Sequence, residues 1–279
     1  MQRTFQIFCI AILLCMSALA APVAAATLIV AADGSGDYTS VKAAVDAAEQ
    51  GDTVYIKSGR YSESTQITAS NPDITIRGEG ADKVTLILGG NPMSLQAPGC
   101  HVEDLKFQGH ISGILIEDTA PNCVVRNNLF VNPDVGVLVR SSYNIVDNNI
   151  VLNPVQNYGG IYTHSGADFN VICNNTISGA TGRYGAYLRG ASNLFENNTI
   201  RYGSGDEPIH GLMVWGGNNT ITRNSIINNT GAGFRIYKAG PDNRIYLNTV
   251  SGNAGTVVLG STPPTSIYWV SPEAVDYTY

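Results

Sequence analysis

Hydrophobic and polar residues alternate along most of the chain, within one short sequence that recurs seven times between residues 100 and 250. The clearest copies begin at Asn170, Asn193 and Asn219 and read NVICNNTI, NLFENNTI and NTITRNSI. Alternation with a period of two, rich in Ile, Val, Thr and Phe, is typical of β-strands. We therefore predict short strands rather than helices over this region.

Alignment of the copies gives two columns of related residues. One column is apolar and contains Val102, Val125, Val146, Ile172, Phe195, Ile221 and Ile245. The other contains Asn128, Asn149, Asn175, Asn198, Asn224 and Asn248, at steps of 21, 26, 23, 26 and 24 residues. An imperfect repeat of about 24 residues indicates a solenoid, because each unit buries its apolar face only against its neighbours. We interpret the asparagines as a structural ladder of stacked amides that also tolerate the left-handed backbone of a sharp turn.

A second short strand follows each copy and is opened by a glycine. These glycines are Gly113, Gly136, Gly160, Gly185, Gly211 and Gly233. Two or three short strands with tight turns in about 24 residues describe one coil of a parallel β-helix, whose adjacent coils lie about 4.8 Å apart. The predicted fold class is therefore all-β, with a single-stranded parallel β-helix.

Residues 1–26 are predicted to be a signal peptide. Arg3 supplies the positive charge, Phe5–Leu14 the apolar run, and Ala24–Ala26 or Ala18–Ala20 the small-residue cleavage site. No other apolar run approaches the length of a membrane span, so no transmembrane segment is expected in the mature chain. We expect a secreted or cell-surface protein.

The hydrophobic period changes once, near the start of the predicted mature chain. Val41, Ala44, Val45 and Ala48 follow the spacing of one helix face, with Thr39 or Ser40 as the cap and Gly51 as the stop. We predict a short capping helix near residues 39–50. It would cover the open end of the first coil and block edge pairing there.

Composition and charge exclude several classes of function. The net charge is −6, which disfavours nucleic acid as a partner. The four histidines are scattered over separate coils and there is no CxxC spacing, so neither a metal site nor a cofactor is predicted. Cys100 and Cys123 lie one coil apart and either form a disulfide or stack as buried thiols. Cys173 is expected to be a free thiol near the surface.

Four Asn-Asn-Thr sequons begin at Asn174, Asn197, Asn218 and Asn228. The first two overlap the asparagine column, so we expect them to be shielded in turns. We interpret these matches to the glycosylation motif as incidental.

Two regions resemble known families. DGSGDYTSVKAAVDAA at residues 33–48, followed by GDTVYIKSGRYSE at residues 51–63, resembles the N-terminal cap of the pectinesterase and pectate-lyase superfamily. The later coils are similar to the NosD-type right-handed β-helix repeats of exported prokaryotic proteins, archaeal surface proteins among them. The resemblance covers about residues 27–259. It implies one pectin lyase-like right-handed parallel β-helix over residues 27–260 and a Pro/aromatic tail at residues 261–279, to which a further surface module would be joined.

The resemblance does not extend to the catalytic motifs of those families. The chain lacks the GxxDFIFG-like segment of pectinesterases, the paired DD and GHG segments of polygalacturonases and the DPH segment of mannuronan epimerases. Similarity of fold alone therefore does not predict an enzymatic activity for this chain.

Candidate chemistry lies on the glycine-opened strands of the later coils. Alternation of faces predicts that Tyr162, His164, Tyr187, Arg189, Met213, Trp215, Arg235 and Tyr237 point outward. Long turns beside these strands add Tyr158, Arg183, Tyr184, Asp206, Glu207 and His210. Aromatic rings stack on sugar faces and arginines bind carboxylates at two points, so we predict a glycan-binding groove.

The predicted function is that of an exported or cell-surface protein that binds extracellular polysaccharide. The predicted substrate-binding residues are Tyr162, His164, Tyr187, Arg189, Trp215, Arg235 and Tyr237. One alternative is a polysaccharide lyase or C5-epimerase acting on uronic acid polymers. In that case Arg189 or Arg235 would neutralise the substrate carboxylate, and a base would take the C5 proton. Candidates for the base are His164, Tyr187 and Lys238. The other alternative is a structural surface-layer or adhesion element without a ligand.

Overall fold

The computed structural model describes residues 24–109, 112–237, 240, 242–260 and 268–270. Over these residues the chain forms a parallel β-solenoid with one short helix near its start. From the second strand onward, successive strands enter three parallel sheets in strict rotation, and we call these sheets A, B and C. The all-β prediction with about 24 residues per coil is confirmed.

The strands are short and their bounds repeat from coil to coil. The early strands are β1 Thr27–Val30, β2 Thr53–Ile56, β3 Gly59–Glu63, β4 Thr68–Ala69, β5 Thr75–Gly78, β6 Val84–Leu88, β7 Met93–Leu95, β8 His101–Glu103, β9 Lys106–Gln108 and β10 Ile114–Ile116. The middle strands are β11 Val124–Arg126, β12 Leu129–Val131, β13 Val137–Val139, β14 Ile145–Asp147, β15 Ile150–Leu152, β16 Ile161–Thr163, β17 Val171–Cys173, β18 Thr176–Ser178, β19 Tyr184–Leu188 and β20 Leu194–Glu196. The late strands are β21 Thr199–Arg201, β22 His210–Val214, β23 Thr220–Thr222, β24 Ser225–Ile227, β25 Ala232–Tyr237, β26 Arg244–Tyr246, β27 Thr249–Ser251, β28 Gly255–Gly260 and β29 Tyr268–Val270. Sheet A starts with β1 and β2, sheet B with β3 and sheet C with β4.

The core of the solenoid consists of apolar columns that cross each sheet. The apolar column found by alignment is in register across sheet A, and every member is buried. Sheet B contributes a second buried column of Phe107, Phe130, Val151, Ile177, Ile200 and Ile226. Each such side chain stabilises the fold by about 1.5–3 kcal/mol relative to leaving it exposed.

The glycines that open the sheet C strands stand where the chain passes from sheet B into sheet C. A Cβ added at Gly185 would lie 2.2 Å from Cγ2 of Ile200, and one added at Gly211 would lie 2.2 Å from Cγ2 of Ile226. Similar conflicts with the sheet B core column occur at Gly113, Gly136, Gly160 and Gly233. Glycine recurs at this corner because the backbone approaches the core column too closely for any side chain.

Replacing Gly185 with alanine should lower the free energy of unfolding by about 1–3 kcal/mol, the usual cost of overpacking a core. Chemical denaturation of Gly185→Ala, Ile200→Ala and the double variant checks this expectation. Since Ile200→Ala removes the closer of the two atoms in conflict and leaves only the carbonyl oxygen of Gly211 at 2.8 Å, the double variant should lose less stability than the two single losses added together. Additive losses would contradict the steric explanation.

The predicted capping helix is present and shorter than expected. Helix α1 spans Val41–Ala47 rather than residues 39–50, because the C-cap residue is already extended. Ser40 is the N-cap, and its hydroxyl accepts a hydrogen bond from the backbone N–H of Ala43 at 3.1 Å. The carboxylate of Glu63 accepts from the backbone N–H groups of the first turn, which favours an anion at this end. The helix packs on β1 to β4 at the start of the solenoid through its buried residues Val41, Ala44 and Val45.

The predicted asparagine ladder is present and fully hydrogen-bonded. Within it, Oδ1 of Asn175 accepts from both the backbone N–H and Nδ2 of Asn149, at 2.9 and 3.0 Å. Sequence alignment missed a second buried ladder made of the asparagines that open the repeats: Asn144, Asn170, Asn193, Asn219 and Asn243.

Two expectations about the asparagines are wrong. The ladder asparagines are not themselves left-handed; the residue before each one is, with φ of 57° at Asn127 and 58° at Asn174. These preceding side chains point away from the core. The sequon residues Asn174 and Asn197 are two of them, so they are exposed rather than shielded.

Of the two alternatives predicted for Cys100 and Cys123, a disulfide or stacked thiols, the structure shows stacked thiols. Cys100 and Cys123 are buried free thiols, and Cys173 is a half-buried free thiol, as predicted. The thiol contact with Cys100, together with burial, raises the pKa of Cys123 above its usual value. Burial likewise raises the pKa of Cys173, to about 12.

The two ends of the chain are described only in part. The predicted signal peptide lies outside the described residues except for residues 24–26. In the predicted tail, β29 pairs with β26 and extends sheet A, with Trp269 in register with Ile245. None of the described residues forms a helix that is long and apolar enough to cross a membrane.

Candidate functional site

The outward face of sheet C carries the candidate site over the later coils. We use the name aromatic stripe for Tyr162, His164, Tyr187, Arg189, Met213, Trp215, Arg235 and Tyr237. The register places Tyr187 beside Tyr162 and Met213, and Met213 beside Arg235. The residues between stripe members are buried in the solenoid core, so the stripe faces away from it.

The aromatic stripe is buried by its own members. Tyr162, Tyr187 and Met213 are 4%, 7% and 2% exposed, and they form a second apolar cluster outside the solenoid. Trp215 and Tyr237 pack against this cluster and are half-buried. The outward side chains bury one another because coils about 4.8 Å apart bring neighbouring rings into contact.

The rings form one continuous series along the solenoid axis. Ring centroids are 4.6 Å apart for Tyr158 and Tyr162, and 5.2 Å apart for Tyr162 and Tyr187. The series continues to Trp215 at 6.4 Å from Tyr187, and to Tyr237 at 5.0 Å from Trp215. These spacings are those of favourable aromatic pairs. The series therefore fixes the orientation of each ring before any ligand is present.

A surface depression of about 400 Å³ opens over the last part of the stripe. It is lined by Asn157, Tyr158, Arg183, Tyr184, Tyr187, Met213, Trp215, Arg235 and Tyr237. Four of the predicted substrate-binding residues lie here, namely Tyr187, Trp215, Arg235 and Tyr237. Of the lining residues, only Asn157 was missed by sequence reasoning, since nothing distinguishes it from the other polar turn residues.

The other predicted residues lie outside the depression. Tyr162 lies under the stacked ring of Tyr158, and His164 contacts the edge of Tyr162 at 5.9 Å between centroids. Arg189 is beside the depression rather than in its lining. Lys238, a predicted candidate base, lies outside the described residues.

Arg189 is held by its neighbours. Its Nη1 donates a hydrogen bond to the hydroxyl oxygen of Tyr162 at 3.5 Å, and its Cζ lies 5.7 Å from the centre of the Trp215 ring. Its backbone N–H donates to Oγ1 of Thr163 at 3.1 Å, which satisfies that buried hydroxyl. The contact with Tyr162 raises the pKa of Arg189 above its usual value, so the guanidinium stays charged.

Arg235 is one of the two arginines that line the depression. Its Cζ lies 6.0 Å from the centre of the Tyr184 ring, in cation–π contact. Its Nε is buried and has no hydrogen-bond partner among the described residues. A buried donor without an acceptor costs about 1–3 kcal/mol, so a bound acceptor group at this point would recover that energy.

Tyr187 is a poor candidate for a base. Burial, and then the neighbouring Tyr162, raise the pKa of Tyr187 to about 12. The hydroxyl is therefore protonated near neutral pH, where it donates or accepts a hydrogen bond without taking up a proton.

The turns beside the depression carry both positively and negatively charged side chains. Arg183 lies 3.7 Å from a carboxylate oxygen of Glu207, and both side chains are largely exposed. Asp206, its neighbour in the same turn, is not among the lining residues. The two predicted wall carboxylates therefore do not converge on the aromatic stripe.

His210 supports the wall of the depression in its neutral form. Its Nδ1 accepts a hydrogen bond from the backbone N–H of Ala232 at 3.0 Å, and its ring stacks on Tyr184 at 6.1 Å. Burial, and then the charge of Arg235, hold the pKa of His210 below its usual value. Protonation would remove the acceptor and place a second cation beside Arg235.

We expect the protein to lose stability as the pH falls through the ordinary histidine range, near about 6.5, because the unfolded state takes up the His210 proton first. Full stability from this group is present above that pH. Melting temperatures measured between about pH 7 and about pH 5 for the parent chain and His210→Gln test this, since glutamine keeps an acceptor and does not titrate. An equal pH slope in both proteins would contradict the assignment.

Comparison with known protein families shows which family the chain belongs to. A family model described as "Right handed beta helix region" matches residues 112–268, and a second, described as "Pectinesterase", matches residues 27–177. The chain is a pectin lyase-like right-handed β-helix protein. Its first half also belongs with the pectinesterase family, as the resemblance of the cap implied.

Individual curated relatives match this β-helix protein over part of its length. It is 41% identical over 68 residues to "Probable pectinesterase 30" from Arabidopsis thaliana, and 43% identical over 65 residues to "Pectinesterase 1" from Citrus sinensis. These matches cover 23% and 22% of this chain. The matched region spans only 14% and 11% of the length of those relatives.

Solved structures share the fold of this β-helix protein at low sequence identity. A PL6 family alginate lyase, AlyGC, superposes with a TM-score of 0.59 at 18% identity, covering 83% of this chain and 40% of the lyase. An alginate lyase from Paenibacillus sp. str. FPU-7 gives 0.58 at 17% identity, covering 85% and 98%. A protein of Geobacillus virus E2, ORF18, gives 0.59 at 15% identity, covering 83% and 57%. These similarities establish the β-solenoid fold and do not establish an activity or a ligand.

Proposed function

We propose that this is an exported or cell-surface β-helix protein that binds extracellular polysaccharide in the depression over the aromatic stripe. The observation that carries the proposal is the series of pre-oriented rings ending at Trp215 and Tyr237, with the unpaired Nε of Arg235 beside it. Pre-oriented rings bind a sugar face with little loss of conformational freedom. The depression also has the size of a small-ligand site.

The charge around the depression favours a sugar that carries a carboxylate. Arg183 and Arg235 both line it, and none of its lining residues is acidic. A guanidinium recognises a carboxylate through two parallel hydrogen bonds. Glu207 competes only for Arg183, so Arg235 is the cation available to an acidic ligand.

A glycan array that includes alginate, pectate and neutral glucans tests the binding proposal. The bound ligand should also change the intrinsic fluorescence of the chain, because Trp215 is one of only two tryptophans. Absence of binding to every polysaccharide on the array would overturn the proposal in favour of a structural surface element.

Arg235→Gln should weaken binding of an oligouronate by about tenfold or more, because a charge-assisted pair contributes about 1.5–3 kcal/mol. Titration calorimetry with the oligouronate and with its carboxyl-reduced analogue separates charge from shape. The variant should bind the reduced analogue as the parent chain does. An equal loss for both ligands would mean that Arg235 acts through packing.

The alternative enzyme is a lyase or C5-epimerase on uronic acid polymers, and what favours it is that Arg235 and Tyr187 both line the depression. Arg235 would neutralise the substrate carboxylate and a base would take the C5 proton. Tyr187 with its raised pKa is not suited to that role, and His164 lies outside the depression. Binding is therefore the better supported function. Ultraviolet absorbance of unsaturated products tests for a lyase, and NMR of the recovered polymer tests for an epimerase.

A further inference from the structure

The four Asn-Asn-Thr sequons occupy one kind of position in the fold. In each, the first asparagine is exposed and has left-handed backbone, with φ between 54° and 58°. The second asparagine is buried in a hydrogen-bonded column: Asn175, Asn198, Asn219 and Asn229. The threonine is the first residue of a strand in three of the motifs, and Thr230 lies two residues before β25. The motif is thus presented at the surface in four separate turns.

Two of the sequon threonines, Thr176 and Thr199, are not required by the solenoid, whereas Oγ1 of Thr230 accepts a hydrogen bond from the backbone N–H of Ile209 at 3.1 Å. Thr176 and Thr199 are in register with Ile150 and Leu129, which occupy the same first position of their sheet B strands. The ladder forms equally well there with no hydroxyl. At these two motifs the asparagine ladder therefore explains the two asparagines but not the threonine that completes the sequon.

The exposed amides can carry a substituent without losing their contacts. Nδ2 of Asn197 donates to Oδ1 of Asn174 at 2.7 Å, and Nδ2 of Asn218 donates to Oγ of Ser192 at 2.9 Å. A primary amide has two N–H groups, and each of these bonds uses one. A secondary amide at the same position keeps the remaining N–H for that bond.

We propose that the chain carries N-linked glycans at these four exposed asparagines: Asn174, Asn197, Asn218 and Asn228. The proposal relies on the export that forms part of the proposed function, because the modification belongs to exported proteins. Asn174 and Asn197 lie in the turns between sheets A and B, whereas the aromatic stripe lies on sheet C. Glycans at these two positions leave the depression open to a ligand.

The transfer needs a lipid-linked oligosaccharide donor, of the polyprenyl phosphate or diphosphate class. The asparagine Nδ2 attacks the anomeric carbon of the donor sugar, and a bond forms between that nitrogen and carbon. The bond between the anomeric carbon and the phosphate oxygen breaks, and the lipid phosphate leaves with the electron pair. One amide proton passes to a base, and nothing is oxidised or reduced.

Glycopeptide mass spectrometry of the protein purified from its own host tests the proposal. We expect hexose-containing additions on peptides with the four sequon asparagines. Asn127 and Asn148 are the matched internal controls, because each has a left-handed backbone and is followed by a ladder asparagine but lacks the threonine; Asn148 is exposed and Asn127 is half-buried. Unmodified asparagine at all four sequons would overturn the proposal, and so would equal modification of the two controls.

Threonine variants separate the glycan from the fold. Thr176→Ile and Thr199→Ile abolish two sequons while installing the residue type found at the same register position in Ile150. Each variant expressed in the native host should lose the mass of one glycan, with its melting temperature in the unglycosylated form unchanged. Retention of the full mass would contradict the assignment. Polysaccharide binding is measured on unglycosylated protein, so failure of either proposal leaves the other standing.

Discussion

Asn175→Ala is expected to lower the free energy of unfolding by about 2–4 kcal/mol, a large part of the total stability of a domain of this kind. Oδ1 of Asn175 accepts two hydrogen bonds from Asn149, at 2.9 and 3.0 Å, and Nδ2 donates to the backbone carbonyls of Val146 and Cys173. Asn175, Asn149 and Val146 are fully buried, and Cys173 is half-buried. Alanine would leave the backbone N–H of Asn149 buried without an acceptor, and this is what makes the loss large.

Chemical denaturation followed by circular dichroism measures this loss. Asn148→Gly is the matched control, because Asn148 lies in the equivalent turn one coil earlier at a φ of 51° and its exposed amide reaches only the side chain of Asn127. Glycine accepts a left-handed backbone, so the control should change stability by less than about 0.5 kcal/mol. Similar losses in the two variants would mean that turn conformation, rather than the buried ladder, holds the coils together.

Asn175→Asp refines the same test. Aspartate keeps the oxygen that accepts from Asn149 but removes the two donors that reach Val146 and Cys173. It also places a charge in a buried column, where desolvation penalises the ionised form. We expect aspartate to be destabilising as well, with part of the lost stability recovered at low pH.

The repeat and its faces could be predicted from the sequence because both follow from local periodicity. Alternation identified Val125 and Ile172 as core residues and Tyr187 and Trp215 as outward residues, since a strand allows only two faces. The opening glycines were visible as a column. Their cause was not, because the conflict between Gly185 and Ile200 joins residues that only the coil brings together.

The burial of the aromatic stripe and the contacts among its rings could not be predicted from the sequence, because both depend on contacts between coils. The sequence places Tyr162 and Tyr187 in one column but does not say that their rings meet at 5.2 Å and exclude water. Nor does it indicate that the long turn before Gly160 folds Tyr158 back onto Tyr162. Turns of variable length have no periodicity, so their side chains cannot be placed by alignment.

The residues with left-handed backbone also show that contacts between coils limit what the sequence alone can predict. Asn is frequent in left-handed backbone, so Asn127 and Asn148 fit expectation once the turn is known. Tyr143 and Phe169 adopt the same conformation, at φ of 64° and 57°, and stack on each other at 5.2 Å while more than half exposed. Register across the coils fixes the backbone there, and it overrides the preference of these two residues.

Trp215→Ala should weaken polysaccharide binding by about 2 kcal/mol or more, the scale of an interface hot spot. The indole lies between Tyr187 and Tyr237 in the ring series and has the Arg189 guanidinium 5.7 Å from its centre. Removing it breaks the series at the depression and frees Arg189 from one of its contacts. Because Trp215 is half-buried in the second apolar cluster, we also expect a loss of stability of about 1–2 kcal/mol.

Tyr143→Asn is the matched control for this last test. Tyr143 is an exposed aromatic residue in a left-handed turn between sheets C and A that does not line the depression, and Asn122 and Asn218 occupy the corresponding turns of other coils. The control should leave binding unchanged. Titration calorimetry at a temperature where both variants are fully folded separates the loss of binding from the loss of stability. A large fall in melting temperature with unchanged binding would make the aromatic stripe a purely structural outer cluster, and the ligand would then have to bind elsewhere on the solenoid.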